Sequence, residues 1–326
     1  VLYPLTFHPL YYAKVWGGRR LASLLERALP PDEPIGESWE IADHPHGMSV
    51  VADGPLQGLT LHEVIARDPA GVLGRRVAAR GGAHFPLLVK LLDAEDKLSV
   101  QVHPNDAYAA VHAGDLGKTE MWYVLHAKPG ATLIAGLQPG VTPDAFRAAL
   151  AAGDPAALLY ELPVQAGDCL FIPAGRVHAI LPGLVILEIQ QNSDTTYRLY
   201  DWGRVGLDGQ PRALHVEEAI AVTDWTDCAP AAQPLAPLSD GPNCRTPLAR
   251  CDYFVVDKYD LAGPLSLAGD GESFTLLNCV AGSADLTWAG GTRTLVRGAS
   301  VLVPAALAHC QVLPHATAAL VVTRVP

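Results

Sequence analysis

The sequence is short of charge: only six of its 326 residues are lysine, charged residues make up 17% of the chain, and no run of Lys or Arg occurs. With a formal net charge of −11, the chain as a whole repels a phosphate backbone, and nucleic acid is excluded as an expected partner. No CxxC occurs among the six cysteines Cys169, Cys228, Cys244, Cys251, Cys279 and Cys310. Their scattered spacing argues against a zinc ribbon or a disulfide scaffold and fits free thiols in a reducing cytosol. No apolar run reaches 18 residues, and the opening VLYPLTFHPLYYAKVWGG has no basic segment leading into an apolar block. Neither a membrane span nor a signal peptide is expected, and the expected location is cytoplasmic. Oligomeric state leaves no mark that can be read.

What the chain does have is apolar residues, 49% of the total, together with 30 glycines and 27 prolines. That mixture favours short strands joined by turns around a sizeable core, so the expected class is mainly β. Helical spacing over Leu59–Arg80, interrupted near Pro69 and Gly71, predicts two short helices. Thr142 before Pro143 marks another helix start, closed by Gly153, and HVEEAIAVTDW from His215 predicts one more. The runs FPLLVKLLDA, KLSVQVHP, EMWYVLHA, ATLIAGL, DCLFIPA and LVILEIQQ read as strands. CAPAAQPLAPLSDGPNC, with four prolines in 17 residues, has the composition of a linker. It predicts two domains, residues 1–235 and 236–326.

An internal repeat gives the clearest view of architecture. GDCLFIPAGRVH, from Gly167 to His178, and GASVLVPAALAH, from Gly298 to His309, share Gly, five residues, Pro, one residue, a small residue, two residues and His. Each describes a turn, a buried strand, a Pro turn and a His opening the next strand. The spacing resembles the second signature motif of cupins, which implies two jelly-roll β-barrels, with helical segments decorating the first.

Chemistry concentrates in FPLLVKLLDAEDKLSVQVHPND. On a strand, Ser99, Gln101 and His103 face one side while Val100 and Val102 face the other. Three successive inward polar side chains are costly unless something binds them. Glu120 follows 17 residues after His103, and His178 stands 58 residues further on in the repeat. Two His, one Glu and one Gln form an N/O donor set suited to zinc or a similar divalent ion. Each also has an ordinary reading. His103 alone is a common core or surface histidine, Glu120 fits an exposed strand entrance, Lys90 fits a snorkelling strand edge, and Arg198 fits an ion pair with Asp194 or Asp201.

The QVHP turn, the KTE segment, PAGRVHAI and IQQNSDTTYRLYDWGR resemble, in that order, the type I mannose-6-phosphate isomerases; KVWGG and GESWEIADHP are also similar. The likeness covers most of residues 10–220 and is closest to the shorter bacterial forms. It implies that Gln101, His103, Glu120 and His178 hold one zinc ion in the first barrel, that Arg198 is catalytic, and that Lys90, Ser99 and Lys118 contact the substrate phosphate. Gln101 stands where general cupins have a first His, a departure the isomerases share. Near the second repeat no His occupies the matching strand, although Glu272 lies roughly where Glu120 would fall, so the C-terminal barrel is expected to hold no metal. The activity implied is aldose–ketose isomerisation of a small sugar phosphate through a cis-enediol. A non-catalytic sugar-phosphate-binding cupin and a metal-dependent cupin oxygenase are the rival readings.

Overall fold

The computed structural model describes residues 2–230 and 235–326. Residues 231–234, within the proline-rich stretch expected to join two domains, lie outside the described residues. The chain is mainly β, with seven short α-helices among the described residues, and it forms two compact units. One comprises Tyr11–Ser38 and Val89–Gln233; the other comprises Val1–Leu10, Trp39–Leu88 and Pro234–Pro326. Packing thus groups residues 39–88 with the C-terminal strands, where the linear reading groups them with the first 235 residues.

The unit around Val89–Gln233 is built on two sheets. One runs in the order Leu10–Gly18, Ile35–Ile41, Leu87–Ala94, Leu184–Gln191, Glu120–Ala127 and Cys169–Ile172. The other runs Tyr197–Tyr200, Val100–Val102, His178–Ile180, Thr132–Leu137 and Leu159–Pro163. Their apolar faces meet in one core, where Leu92, Trp122, Val124 and Ile186 of the first sheet pack with Leu133, Ala135 and Ile180 of the second. Alternation along each strand decides what else can happen. Val100, Val102, Ala179 and Leu199 point to the opposite face of the five-stranded sheet, which is covered by Phe146 of helix Pro143–Ala151 and by Ala219 and Ile220 of helix Val216–Val222. With both faces buried, any polar side chain on the inner face must find a partner within the unit.

Thr142 caps its helix as its sequence suggests, accepting the Ala145 amide at 3.2 Å. Several segments are absent from the sequence reading, among them helix Arg20–Leu25 and strands Leu159–Pro163 and Tyr197–Tyr200. Strands Leu10–Gly18 and Ile35–Ile41 were not legible as such, and Asp106–His112 forms a helix capped by Asn105, whose Oδ1 accepts the Tyr108 amide at 3.0 Å.

In the other unit the sheet centres on the long strands Thr275–Trp288 and His309–Arg324, flanked by Val255–Leu261, Asn243–Arg250, Leu238–Asp240 and Gly291–Val296. Leu277, Leu286, Val301, Val312 and Leu320 fill its core. The region 59–80 holds three helices instead of the two expected: Leu61–Arg67, Pro69–Leu73 and Arg75–Gly81. Gly74, at φ +95°, makes the additional break, in a conformation that favours glycine. Glu272 precedes strand Thr275–Trp288 and accepts a 2.9 Å hydrogen bond from Arg75 Nε.

The repeat appears twice as read. Gly167 and Gly298 both have positive φ, strands Cys169–Ile172 and Ser300–Val303 follow, and His178 and His309 each open the next strand. Within the first copy, Gly175 at φ +91° donates its amide to the His103 carbonyl at 2.9 Å. The turn of one motif thereby positions the backbone of the other.

Candidate metal and substrate site

Strand register assembles the site. Gln101 lies directly opposite His178 on one side and Arg198 on the other, so three inward positions form one row across the five-stranded sheet. Glu120 opens its strand on the six-stranded sheet, paired with Gln190 and Ile172. The core between the sheets carries both sets inward.

His103, Glu120 and His178 are buried, with candidate ligand atoms all within 4.8 Å of one another. The two imidazoles are oriented in the same way. His103 Nδ1 donates to the Thr195 carbonyl at 2.9 Å, and His178 Nδ1 donates to the Arg176 carbonyl at 2.8 Å. Each Nδ1 proton is fixed by that carbonyl, which leaves Nε2 with its lone pair. His103 Nε2 stands 3.5 Å from Glu120 Oε2, and His178 Nε2 stands 3.5 Å from Glu120 Oε1. Glu120 Oε2 has the Lys118 ammonium 3.1 Å away, and Glu120 Oε1 has no hydrogen-bond partner among the described residues. Three acceptor side chains thus converge on one buried space with the Lys118 ammonium beside them, and their lone pairs suit a divalent ion.

Burial pushes the His178 imidazole down to about 3 and holds His103 well below its ordinary range, with the nearby Lys118 ammonium acting in the same direction on both. Both rings are thus neutral near pH 7 and need lose no proton before binding a metal. The donor set fits a divalent cation.

Lys118 Nζ stands among these acceptors, 3.2 Å from His103 Nε2 and 3.1 Å from Glu120 Oε2. Burial alone would lower its pKa, but Glu120, Glu188 and Asp194 together outweigh burial and hold the ammonium above the usual lysine range. Gln101 Nε2 lies 3.3 Å from His178 Nε2, and Gln101 Oε1 accepts from Ser99 Oγ at 3.3 Å. A half-turn of the Gln101 amide would present its oxygen beside His178 and its NH₂ to the Ser99 hydroxyl, which accepts as readily as it donates.

Beside this cluster lies a cavity of about 270 Å³ lined by Lys90, Ser99, Gln101, Lys118 and Arg198 among others. Every residue given a metal, substrate or catalytic role from the sequence is therefore in the cluster or on the cavity wall. Lys90 is buried between two carboxylates, 3.8 Å from Glu37 Oε2 and 3.7 Å from Glu188 Oε1, so it does not snorkel. Arg198 donates from Nε to Ser99 Oγ at 3.2 Å and from an Nη to the Ala213 carbonyl at 2.8 Å. Asp201, one of the two ordinary partners offered for it, instead accepts from Arg204 Nε at 3.1 Å and from Arg212 Nε at 2.7 Å. Lys97, near the motif in sequence, stands over the Trp202 ring at 4.2 Å and is not part of the wall.

The cavity is also lined by residues to which the sequence reading gave no part in the site: Lys14, Glu37, Glu188, Thr196, Arg212, His215, and Asp194, which it read only as an ordinary partner of Arg198. Glu188 was within reach of the reasoning that found Lys90, since LVILEIQQ is a strand with one charge in an apolar run. It is buried, accepts a hydrogen bond from Trp122 Nε1 at 2.8 Å, and has its pKa raised by burial and by Glu120 against the opposing pull of Lys118 and Lys90. Five cationic side chains and three carboxylates line the wall, so the cavity favours an anion despite the acidic chain.

The depressed imidazoles predict a pH effect on stability. A His with a folded-state pKa near 3 binds less proton when folded than when unfolded, from that value up to the ordinary His range, so stability rises with pH across this window and is lost as pH falls through it. Urea unfolding of chelator-stripped protein between pH 6 and pH 4 should show this slope, and His178→Gln should reduce it by at most about 1.4 kcal/mol per pH unit. Equal slopes in the two proteins would contradict the assignment of a buried neutral His178.

Comparisons with known proteins bear on the same region. Residues 5–128 match the family described as phosphomannose isomerase type I, catalytic domain, and residues 245–323 match that described as mannose-6-phosphate isomerase, cupin domain. The chain is 40% identical over 301 residues to the mannose-6-phosphate isomerase of Streptococcus mutans, covering 92% of each. It is 37% identical over 304 residues to mannose-6-phosphate isomerase ManA of Bacillus subtilis, covering 92% of this chain and 93% of the relative. Its fold superposes on the crystal structure of the mannose 6-phosphate isomerase from Bacillus subtilis with a TM-score of 0.89, at 33% identity and over 99% of both chains.

Proposed function

Because the chain belongs to the type I phosphomannose isomerase family, we propose that it interconverts mannose 6-phosphate and fructose 6-phosphate in the cavity beside His103, Glu120 and His178. The observation that carries this reading is the union of a buried two-His, one-carboxylate cluster with a cation-rich cavity on the same inner face. At about 270 Å³ the cavity lies near the lower end of the roughly 300–1,000 Å³ usual for small-molecule sites, which suits a single sugar phosphate.

His103, Glu120 and His178 would hold the ion, with Gln101 joining through its amide oxygen; zinc suits these donors. A bound divalent ion supplies Lewis-acid polarisation of the sugar's carbonyl and hydroxyl oxygens. The chain's own residues do the rest. Lys90, Ser99 and Lys118 contribute point charges and a hydroxyl that satisfy a phosphate dianion from different sides. Arg198, half-buried and held by Ser99 and the Ala213 carbonyl, directs its guanidinium at negative charge developing on the substrate oxygens. The proton moved between C2 and C1 needs a base on the cavity wall. Of the lining carboxylates, Glu188 is buried with a raised pKa and is the best suited to hold it.

A coupled assay following ketose 6-phosphate formation from mannose, glucose and allose 6-phosphates tests the reading. Turnover is expected with mannose 6-phosphate and should exceed that with the other two. Binding of mannose 6-phosphate without any turnover would replace the enzyme with a non-catalytic sugar-phosphate receptor.

A further inference from the structure

Outside this site, the unit containing the C-terminal strands carries another cluster of ligating side chains, Asp43, His62 and His84, whose donor atoms also lie within 4.8 Å of one another. We propose that these three residues form a second binding site for a divalent transition-metal ion, open to solvent and separate from the isomerase chemistry.

The three side chains come from three chain segments, and the backbone around each is fixed. Asp43 begins a two-residue strand pairing with Gly47–Met48. His62 is the second residue of helix Leu61–Arg67, whose start is set by the Thr60 and Glu63 capping box. His84 precedes strand Leu87–Ala94. Backbone hydrogen bonds link the first two segments: the Ser49 amide donates to the Ala42 carbonyl at 2.9 Å, and the Leu61 amide donates to the Ser49 carbonyl at 2.8 Å. The third is tied in by the Phe85 amide, which donates to Asp43 Oδ2 at 2.8 Å. The donors are thus placed by the fold, which lowers the entropic cost of gathering them around an ion.

The geometry is close to that of coordination. His62 Nδ1 lies 3.3 Å from Asp43 Oδ1, and His84 Nδ1 lies 3.7 Å from Asp43 Oδ2. Two ligands at about 2.0–2.1 Å on a tetrahedral ion stand roughly 3.3 Å apart. Both rings thus present a nitrogen to the same carboxylate, with their centroids 5.0 Å apart. Two imidazoles and one carboxylate select zinc, nickel, cobalt or copper over magnesium or calcium, which prefer oxygen donors. The Asp43 side chain is only 1% exposed, while those of His62 and His84 are 41% and 69% exposed, so water can complete the shell and the ion can exchange. Metal bound here would join the hairpin, the helix and the approach to Leu87–Ala94, stabilising this unit by mass action.

The test uses the full-length chain and the metal alone. Equilibrium dialysis against micromolar free Zn²⁺ or Ni²⁺, with bound metal counted by mass spectrometry, should show one ion more per wild-type chain than per His84→Ala or His62→Ala chain. Added metal should raise the thermal midpoint of the wild type and leave that midpoint lower in both variants at the same concentration. Isomerase turnover at fixed zinc should be equal in all three proteins. Because the readout is the difference of one ion, it is independent of whether the His103 cluster is loaded. Equal metal counts in wild type and both variants, or a difference seen only at millimolar metal, would overturn the proposal.

Discussion

Glu120→Gln is expected to release the metal and abolish isomerisation. The carboxylate faces the Nε2 lone pairs of His103 and His178 at 3.5 Å each, with the Lys118 ammonium 3.1 Å from its Oε2. Replacing it with a neutral amide removes the only formal negative charge of the proposed ligand set. Loss of an outer-shell group alone typically costs 10–100-fold in metal affinity or activity, so loss of a direct ligand should weaken retention at least ~100-fold. Turnover should fall by at least the same factor at limiting zinc. Glu120→Asp keeps the charge but draws the oxygens back by one methylene, and should be intermediate. Metal content measured after gel filtration, beside the rate, checks both substitutions. A Glu120→Gln protein that retains its ion would remove Glu120 from the set.

Arg198→Ala should separate chemistry from metal binding. The guanidinium touches Ser99 and the Ala213 carbonyl, and it forms one row with Gln101 and His178 through strand register. Removing a group aimed at developing negative charge typically costs about 2.7–4 kcal/mol, a fall of roughly 10²–10³ in kcat. Metal content should be unchanged, because the ligand side chains keep their own second partners at Thr195 and Arg176. Arg198→Lys should rescue little, since an ammonium cannot reproduce the fork that reaches Ser99 and Ala213 together. If kcat were unaffected and only KM rose, Arg198 would be a substrate anchor and not a catalytic residue.

Much of this site is legible in the sequence because strand periodicity is exact. Alternation alone predicts that Ser99, Gln101 and His103 share a face, and Val100 and Val102 do pack on the other side with the covering helices. The Gly, Pro and His spacing of the repeat fixes where His178 starts its strand, because glycine at positive φ and proline permit few other turns. What could not be read depends on contacts distant in the chain. Lys14 and Glu37 reach the cavity only because strands Leu10–Gly18 and Ile35–Ile41 join the same sheet as Leu87–Ala94. Arg212 arrives on a loop whose path has no periodicity to follow, while His215 stands at the N-cap of helix Val216–Val222, which the sequence shows without showing what it faces. The extra helix break at Gly74 has the same origin: an isolated glycine in a helical pattern is tolerated as often as it ends one, and only the backbone shows which occurred.

The central claim is that turnover of a sugar phosphate depends on an ion held by His103, Glu120 and His178. It is tested most directly by following conversion of mannose 6-phosphate to fructose 6-phosphate in protein as isolated, after removal of metal by a chelator, and after return of zinc. Activity should disappear on stripping and return with one ion per chain at this cluster. Undiminished turnover in protein shown by mass spectrometry to hold no metal would contradict it.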